Sequence, residues 1–336
     1  MHAWLEQLAA DFPWYALILS IAAIIAVLGK AADMLVDEAV VISTRLKVPT
    51  IIIGATLVSV GTTIPEAVVS VLSALQGNPG LALGNAVGSV ICDTGLILGT
   101  AILIGLVPVP KDIVSRQGNV QLLCGIGLVL VAIPWLSLSQ TFIKGSHIPQ
   151  PVGWFFLCLL AIYIWQSIRW GQQSMAGISS AEDELPPVFV QLLKLSVAIA
   201  LVVVSSDSLI VFATELARRL AVPEAVIAAT LVAFGTSLPE LVTAISAVRK
   251  GQGALALGNV IGADILNVLF VVGAATAVSK NGLYVDPHFF KTLFPAMILI
   301  LSVFRIGAYS AKTHLQKPFG ALLIAVYLFV LVISYG

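Results

Sequence analysis

Gly61-Thr62-Thr63-Ile64-Pro65-Glu66 sits inside a long apolar run, and Gly235-Thr236-Ser237-Leu238-Pro239-Glu240 repeats it at an offset of 174 residues. Each copy places a carboxylate where a membrane span is expected, with a proline and two hydroxyls within one helical turn. An acid at that depth is costly and by default marks an ion or proton pathway. Two matching copies predict two half-sites that face each other.

The rest of the chain fits that reading. Hydrophobic residues make up 59% of the 336 positions and charged residues 10%, with a net charge of zero. Soluble domains carry about a quarter charged residues, so the expected class is an all-α polytopic membrane protein. Neutrality argues against nucleic acid as a partner. Cys92, Cys124 and Cys158 all fall in apolar runs and form no disulfide framework. Residues 1–13 lack the basic start of a signal peptide.

Spans need roughly 20 apolar residues. Ten are predicted, at about 14–45, 50–76, 80–106, 119–138, 151–168, 188–219, 224–248, 254–278, 287–307 and 318–335. The first and sixth are too long to cross upright and should tilt or run past the membrane surface. A polar stretch, Arg169 to Pro187, contains Glu182-Asp183-Glu184 and Pro186-Pro187 and reads as a solvated linker. It divides the chain into a first half, 1–168 (spans one to five), and a second half, 188–336 (spans six to ten). Across the fixed offset, 21 of the 52 positions from Val48 to Gly99 are identical to their partners, including Pro65, Glu66, Asn85 and Gly88. Duplication explains this better than shared apolar composition.

Five spans per half is an odd number, so the second half should enter the membrane inverted. Transporters of that build hold substrate near the midplane, on broken helices at the interface of the repeats. Charge placement agrees. With the N-terminus outside, the inner side receives eleven Lys and Arg, among them Arg45, Lys47, Lys111, Arg249 and Lys250, and the outer side five. Both termini are thus expected outside and the linker in the cytoplasm.

Thr62 and Glu66 are four apart and share a helix face. Pro65 lacks an N–H and crowds the Gly61 carbonyl, which should free backbone oxygens near residues 59–62. Thr236, Glu240, Pro239 and Gly235 repeat the arrangement. Carboxylates, hydroxyls and carbonyls make an all-oxygen cage of the kind hard cations take. The histidines (His2, His147, His288, His314) stand in loops or near span ends. In the third and eighth spans Asn85, Ser89 and Asp93 recur on one face, with Asn259, Ala263 and Asn267 as partners. Asp264 can reach the same face. Asn85 and Asn259 could equally bridge helices. Asp33 and Asp207 could line a path or brace the long spans, and Lys30 is expected to pair with Asp33. Glycines 84, 88, 258 and 262 should press the third span onto the second and the eighth onto the seventh.

The paired G-T-[TS]-x-P-E and G-N-x-x-G stretches resemble the two α-repeats of the cation/calcium antiporter superfamily, and within it the prokaryotic sodium/calcium exchangers. The resemblance covers nearly the whole chain. It implies alternating access, with the long first and sixth helices sliding across an eight-helix core. It implies that Glu66 and Glu240 coordinate Ca²⁺ and share in binding Na⁺, with backbone oxygens of Thr62 and Thr236. Thr63, Ser237 and Ser89 would serve flanking Na⁺ sites, and Ser59 and Ala233 would lend carbonyls. The family pattern has serine where Ala263 stands and commonly asparagine where Asp264 stands. The archaeal exchangers have the acid of the Asp93/Asn267 pair in the second half.

The expected activity is Ca²⁺ for Na⁺ exchange with no cofactor and no enzymatic step, by a multi-pass, monomeric protein of a prokaryotic inner or plasma membrane. Its partners are inorganic cations and the lipid bilayer. A proton-coupled divalent-cation exchanger is the nearest rival, kept open by Asp93 and Asp264. An intramembrane aspartyl protease and a passive channel are more distant ones.

Overall fold

The computed structural model describes residues 2–135, 138, 141–175, 187–222 and 235–335. The chain opens with a short helix, α1 (His2–Asp11), followed by the long helix α2 (Trp14–Leu46). Next come α3 (Thr50–Thr62) and α4 (Ile64–Leu75), bent by 45° at Thr63, and then α5 (Pro79–Ile104). Helices α6 (Lys111–Ala132) and α7 (Gln150–Met175) complete the first half. The second half has α8 (Val188–Arg219), α9 (Leu238–Arg249), α10 (Gly253–Val278), α11 (Phe289–Ser310) and α12 (Lys317–Tyr335). Two small antiparallel ribbons tie loops together. β1 (Val107–Pro108) pairs with β4 (His314–Leu315), and β2 (Ser146–Ile148) pairs with β3 (Leu283–Val285).

Among the described residues eight helices are long and apolar enough to cross a membrane, and the bent pair α3–α4 adds a ninth. The expected seventh span, 224–248, falls partly on residues 223–234, which lie outside the described residues. Two boundaries differ from expectation. The fourth helix begins at Lys111 rather than near 119, because its polar first turns carry Gln117, which is buried against Tyr163 and Ser167. The fifth continues through Arg169 to Met175, helical beyond the point where its hydropathy falls.

Helix ends follow local chemistry. α2 stops at Lys47, whose φ of 53° is left-handed, and Val48-Pro49 follows. α8 stops the same way at Ala221, φ 58°. Lys47 and Ala221 are partners across the repeat offset. Pro65 stands in the first turn of α4 and Pro239 in the first turn of α9. A proline costs no hydrogen bond there, so Pro65 opens a new helix at the break in its span and Pro239 stands where α9 begins. Wide, π-type turns span Gly54–Val58 in α3, Asp93–Ile97 in α5 and Asn267–Val272 in α10. Such turns release carbonyls from the helical ladder. One of them, the Ala55 carbonyl, is 3.2 Å from the Tyr163 hydroxyl of α7.

The core centres on α10, which is buried along nearly its whole length. Its glycines Gly258 and Gly262 pack it on α3; the start of the seventh span, the partner expected for them, lies outside the described residues. A Cβ at Gly258 would lie 2.0 Å from the Ile51 carbonyl, and one at Gly262 2.6 Å from Ala55 Cα. Large apolar side chains such as Tyr15, Leu19, Phe189 and Val332 are exposed, as lipid contact requires.

The long helices α2 and α8 lie against each other. At about 1.5 Å per residue each is far longer than the roughly 30 Å hydrocarbon layer. α1 joins them through an apolar cluster of Leu5, Ala9, Leu17, Val211 and Phe212. Arg219 donates to the carbonyls of Ala9 at 3.0 Å and of Ala10 and Phe12 at 2.7 Å, closing the C-terminal end of α1. At its other end α2 is fastened to α9. Lys250 Nζ reaches Asp37 Oδ1 at 2.7 Å and the Asp33 carbonyl at 3.0 Å, and the Ser246 hydroxyl donates to Asp33 Oδ1. The expected Lys30–Asp33 pair does not form; Asp33 turns to Ser246 on the neighbouring helix.

Candidate ion-binding site

The break at Thr63 brings a set of oxygens to the middle of the fold. Glu66 lies in the first turn of α4 and Glu240 in the first turn of α9, and each is 1% exposed. Among the described residues, all four carboxylate oxygens lack a hydrogen-bond partner. The two carboxylates are near enough to feel each other's charge, and Asp93 acts on both. Among the described residues no Lys, Arg or His pairs with any of them. Nor does any tight group of three Asp, Glu, His or Cys side chains form a chelate on its own. Any ion held here must draw on hydroxyl, amide and carbonyl oxygens as well.

Those oxygens are at hand. Thr62, Thr63, Ser59 and Ser237 are buried, as are Ser89, Asp93, Asn259, Asp264 and Asn267. The Thr62 hydroxyl is 3.5 Å from Asn259 Oδ1, and the Thr236 hydroxyl is 3.3 Å from Asn85 Oδ1. These two contacts exchange partners across the 174-residue offset: each threonine reaches the asparagine of the other half. Asn85 and Asn259 therefore bridge the halves. Asn85 also donates to the Glu66 carbonyl at 3.2 Å and to Ser70 Oγ at 3.0 Å.

The halves differ in detail. Ser237 and Ser89 hydroxyls lie 3.3 Å apart. The matching position to Ser89 is Ala263, and the Thr63 hydroxyl has no partner. The Ser59 carbonyl accepts the Thr63 N–H at 2.9 Å, with the Thr62 hydroxyl at 3.4 Å. Ala233, the expected carbonyl donor in the second half, lies outside the described residues.

Asp264 is tied to groups that sequence reasoning did not single out. Its Oδ2 accepts Gln121 Nε2 of α6 at 2.5 Å and the Thr94 hydroxyl of α5. Gln121 is polar in an apolar span and 2% exposed. A glutamine buried in a membrane helix is itself the signal that could have found it.

The comparisons with known proteins fall on this same architecture. The family profile described as "Sodium/calcium exchanger protein" matches residues 16–169 and 190–336. The chain is 31% identical over 304 residues to the inner membrane protein YrbG of Escherichia coli (strain K12), covering 87% of this chain and 89% of that one. It is 29% identical over 336 residues to the sodium/calcium exchanger MaX1 of Methanosarcina acetivorans, covering 92% and 95%. A structure of the sodium-calcium exchanger NCX_Mj soaked with 10 mM Na⁺ and zero Ca²⁺ superposes with a TM-score of 0.79 at 25% identity, covering 94% of this chain and 98% of that one. With the profile matched on both sides of the central stretch, the chain belongs to the sodium/calcium exchanger family of membrane transporters.

Proposed function

We propose that the chain is a secondary active antiporter exchanging Ca²⁺ for Na⁺. It would do so by alternating access, with ten spans in two inverted halves and both termini outside. The observation that carries this reading is the pair of buried glutamates. Among the described residues their four oxygens have no hydrogen-bond partner within normal distance and no cationic side chain, an arrangement that favours a bound cation. Glu66 and Glu240, with Thr62 and Thr236, hold Ca²⁺. Thr63, Ser237 and Ser89, with the carbonyls of Ser59 and Ala233, serve Na⁺. Asp93, Asn267 and Asp264 border the cage. Burying an uncompensated carboxylate is costly, so the empty site resists passage through apolar surroundings. Occupancy by Ca²⁺ or by several Na⁺ neutralises it. Exchange is thereby favoured over leak.

The test is flux in vesicles holding the full chain. Ca²⁺ uptake should follow an outward Na⁺ gradient in the wild type and fall at least about 100-fold in Glu66→Gln or Glu240→Gln, as expected when a buried charge partner to an ion is lost. Unchanged uptake in either variant removes the assigned site. The proton-coupled reading draws on Asp93 and Asp264, which add buried carboxylates to the glutamate pair. Ca²⁺ uptake driven by a pH gradient with Na⁺ absent would decide in its favour.

A further inference from the structure

α1 is joined to α2 by two residues, Phe12 and Pro13, yet it packs chiefly on α8. Its last turn has no glycine to close it, which leaves backbone carbonyls in need of donors. Arg219, in the last turn of α8, supplies them. Nη1 donates to the Phe12 carbonyl at 2.7 Å, and Nη2 to those of Ala10 at 2.7 Å and Ala9 at 3.0 Å. Nε donates to Glu215 Oε1, one turn back on α8, at 2.7 Å. Every nitrogen of the guanidinium is used, in a planar fork that a lysine could not reproduce. The cation also stands at the negative end of the α1 dipole.

Beside the fork, Phe12 meets Phe212 edge to face, with ring centroids 5.9 Å apart. Leu5, Ala9 and Leu17 close on Val211 and Phe212. This cluster is separate from the main core, and its members, partly buried ones included, come only from residues 5–24 and 211–216. Nearer the other end of the same pair, Lys194 Nζ of α8 lies 3.6 Å from Glu38 Oε1 of α2. The two long helices are thus tied near both ends. The tie through α1 is one-sided. Arg45 stands opposite Arg219 across the offset, but none of residues 2–11 is identical to its partner in 176–185, and Glu215 meets Val41.

α1 is held to the start of α2 by the chain and to the end of α8 by packing. A slip of α2 along α8 by one helical turn, about 5.4 Å, would pull α1 away from Val211 and Phe212. It would also strip the Arg219 donors from three carbonyls, a costly loss for groups left without a partner. A slide of both helices together past the rest of the chain strains none of these contacts, because they stay within α1, α2 and α8. We propose that α1 and Arg219 form a clasp that makes α2 and α8 a single moving body and stays closed throughout the transport cycle. The existence of that motion rests on the alternating-access reading given above.

The test uses the full chain reconstituted in vesicles, with Cys124 and Cys158 replaced by alanine. Spin labels at Leu19 of α2 and Leu201 of α8, both exposed, read the separation of the two helices. Its distribution should broaden in Arg219→Gln, and Na⁺-driven Ca²⁺ uptake should fall about 3- to 10-fold, the order of one hydrogen bond to a charged group. An unchanged distance distribution in Arg219→Gln overturns the clasp. The second arm is the pair Phe12→Cys/Phe212→Cys, joined by a short bis-maleimide so that α1 cannot leave α8. Uptake should stay at or above its level before cross-linking. Uptake abolished by the cross-link overturns the proposal, because α1 would then have to release α8 in every cycle. If Arg219→Gln does not fold, the cross-link decides. The distance readout needs no flux, so a wild type that moves no Ca²⁺ against Na⁺ sinks the exchanger reading and leaves the clasp to be judged on the distances.

Discussion

Around Glu66 the hydroxyl of Thr63 finds no partner; around Glu240 the matching hydroxyl, Ser237, lies 3.3 Å from Ser89. A similar contrast recurs one turn away. The Asn85 amide bonds Ser70 and the Glu66 carbonyl, while the Asn259 amide nitrogen is unpartnered. Both differences trace to single residues: Ala263 where the partner half has Ser89, and Ala244 where it has Ser70. The frame of the two halves has stayed alike while their polar furnishing has diverged. The glutamates and the crossed threonine–asparagine contacts are shared, so they define what both halves must do. The hydroxyls that differ are where the halves specialise.

The comparison can be broken most severely at the glutamates. If the halves contribute equally there, Glu66→Gln and Glu240→Gln should depress Ca²⁺ flux alike, each by about 100-fold or more. A variant that spares flux on one side only would show that the halves are unequal at their centre. A smaller effect is expected from Ala263→Ser, which offers Thr63 the partner Ser237 already has. Half-saturation by Na⁺ should tighten about 3- to 10-fold, and Ser89→Ala should loosen it by a similar factor; Na⁺ titration of Ca²⁺ efflux reads both. Ala244→Ser supplies the missing acceptor for Asn259. It should stabilise the detergent-solubilised protein by about 1 kcal/mol, seen as a higher Tm, while Ser70→Ala should cost about the same. The smallest change is expected at Lys250→Gln. Its pair with Asp37 is partly exposed, and such pairs contribute about 0.2–1 kcal/mol. Labelling of single cysteines near Ser246 should rise about two- to fivefold as α2 parts from α9, and high salt should mimic the substitution in the wild type.

Much of this was legible in the sequence because lipid imposes simple rules. Long apolar runs marked most of the spans, and a carboxylate within two of them marked the candidate site. The duplication fixed which residues correspond, so Thr62 and Thr236 could be paired with glutamates before any geometry was known. What stayed hidden depends on contacts between distant residues. Hydropathy could not tell that Lys111–Gln121 continues as helix, because the reason is burial of Gln117 and Gln121 against Tyr163, Thr94 and Asp264. The small-residue pattern at Gly258 and Gly262 announced close packing and suggested the neighbouring span in the chain, but could not reveal α3, from the other half, as the surface they meet. The wide turns at Gly54, Asp93 and Asn267 have no signature in local propensity. Nor did residues 2–11 announce a helix held by Arg219.

Of the side chains that fasten α2 to α9, Lys250, Asp37 and Ser246 are not repeated across the offset. Gln76 stands opposite Lys250 across the offset, Val211 opposite Asp37, and Leu72 opposite Ser246. Two equal halves would idle with no preference between compartments. The Lys250 ammonium on one flank breaks that equality, and the crossed contacts are unevenly covered, Thr236 and Asn85 less deeply than Thr62 and Asn259. Two stretches descended from one pattern have thus become distinguishable at the rim of the molecule as well as at its centre.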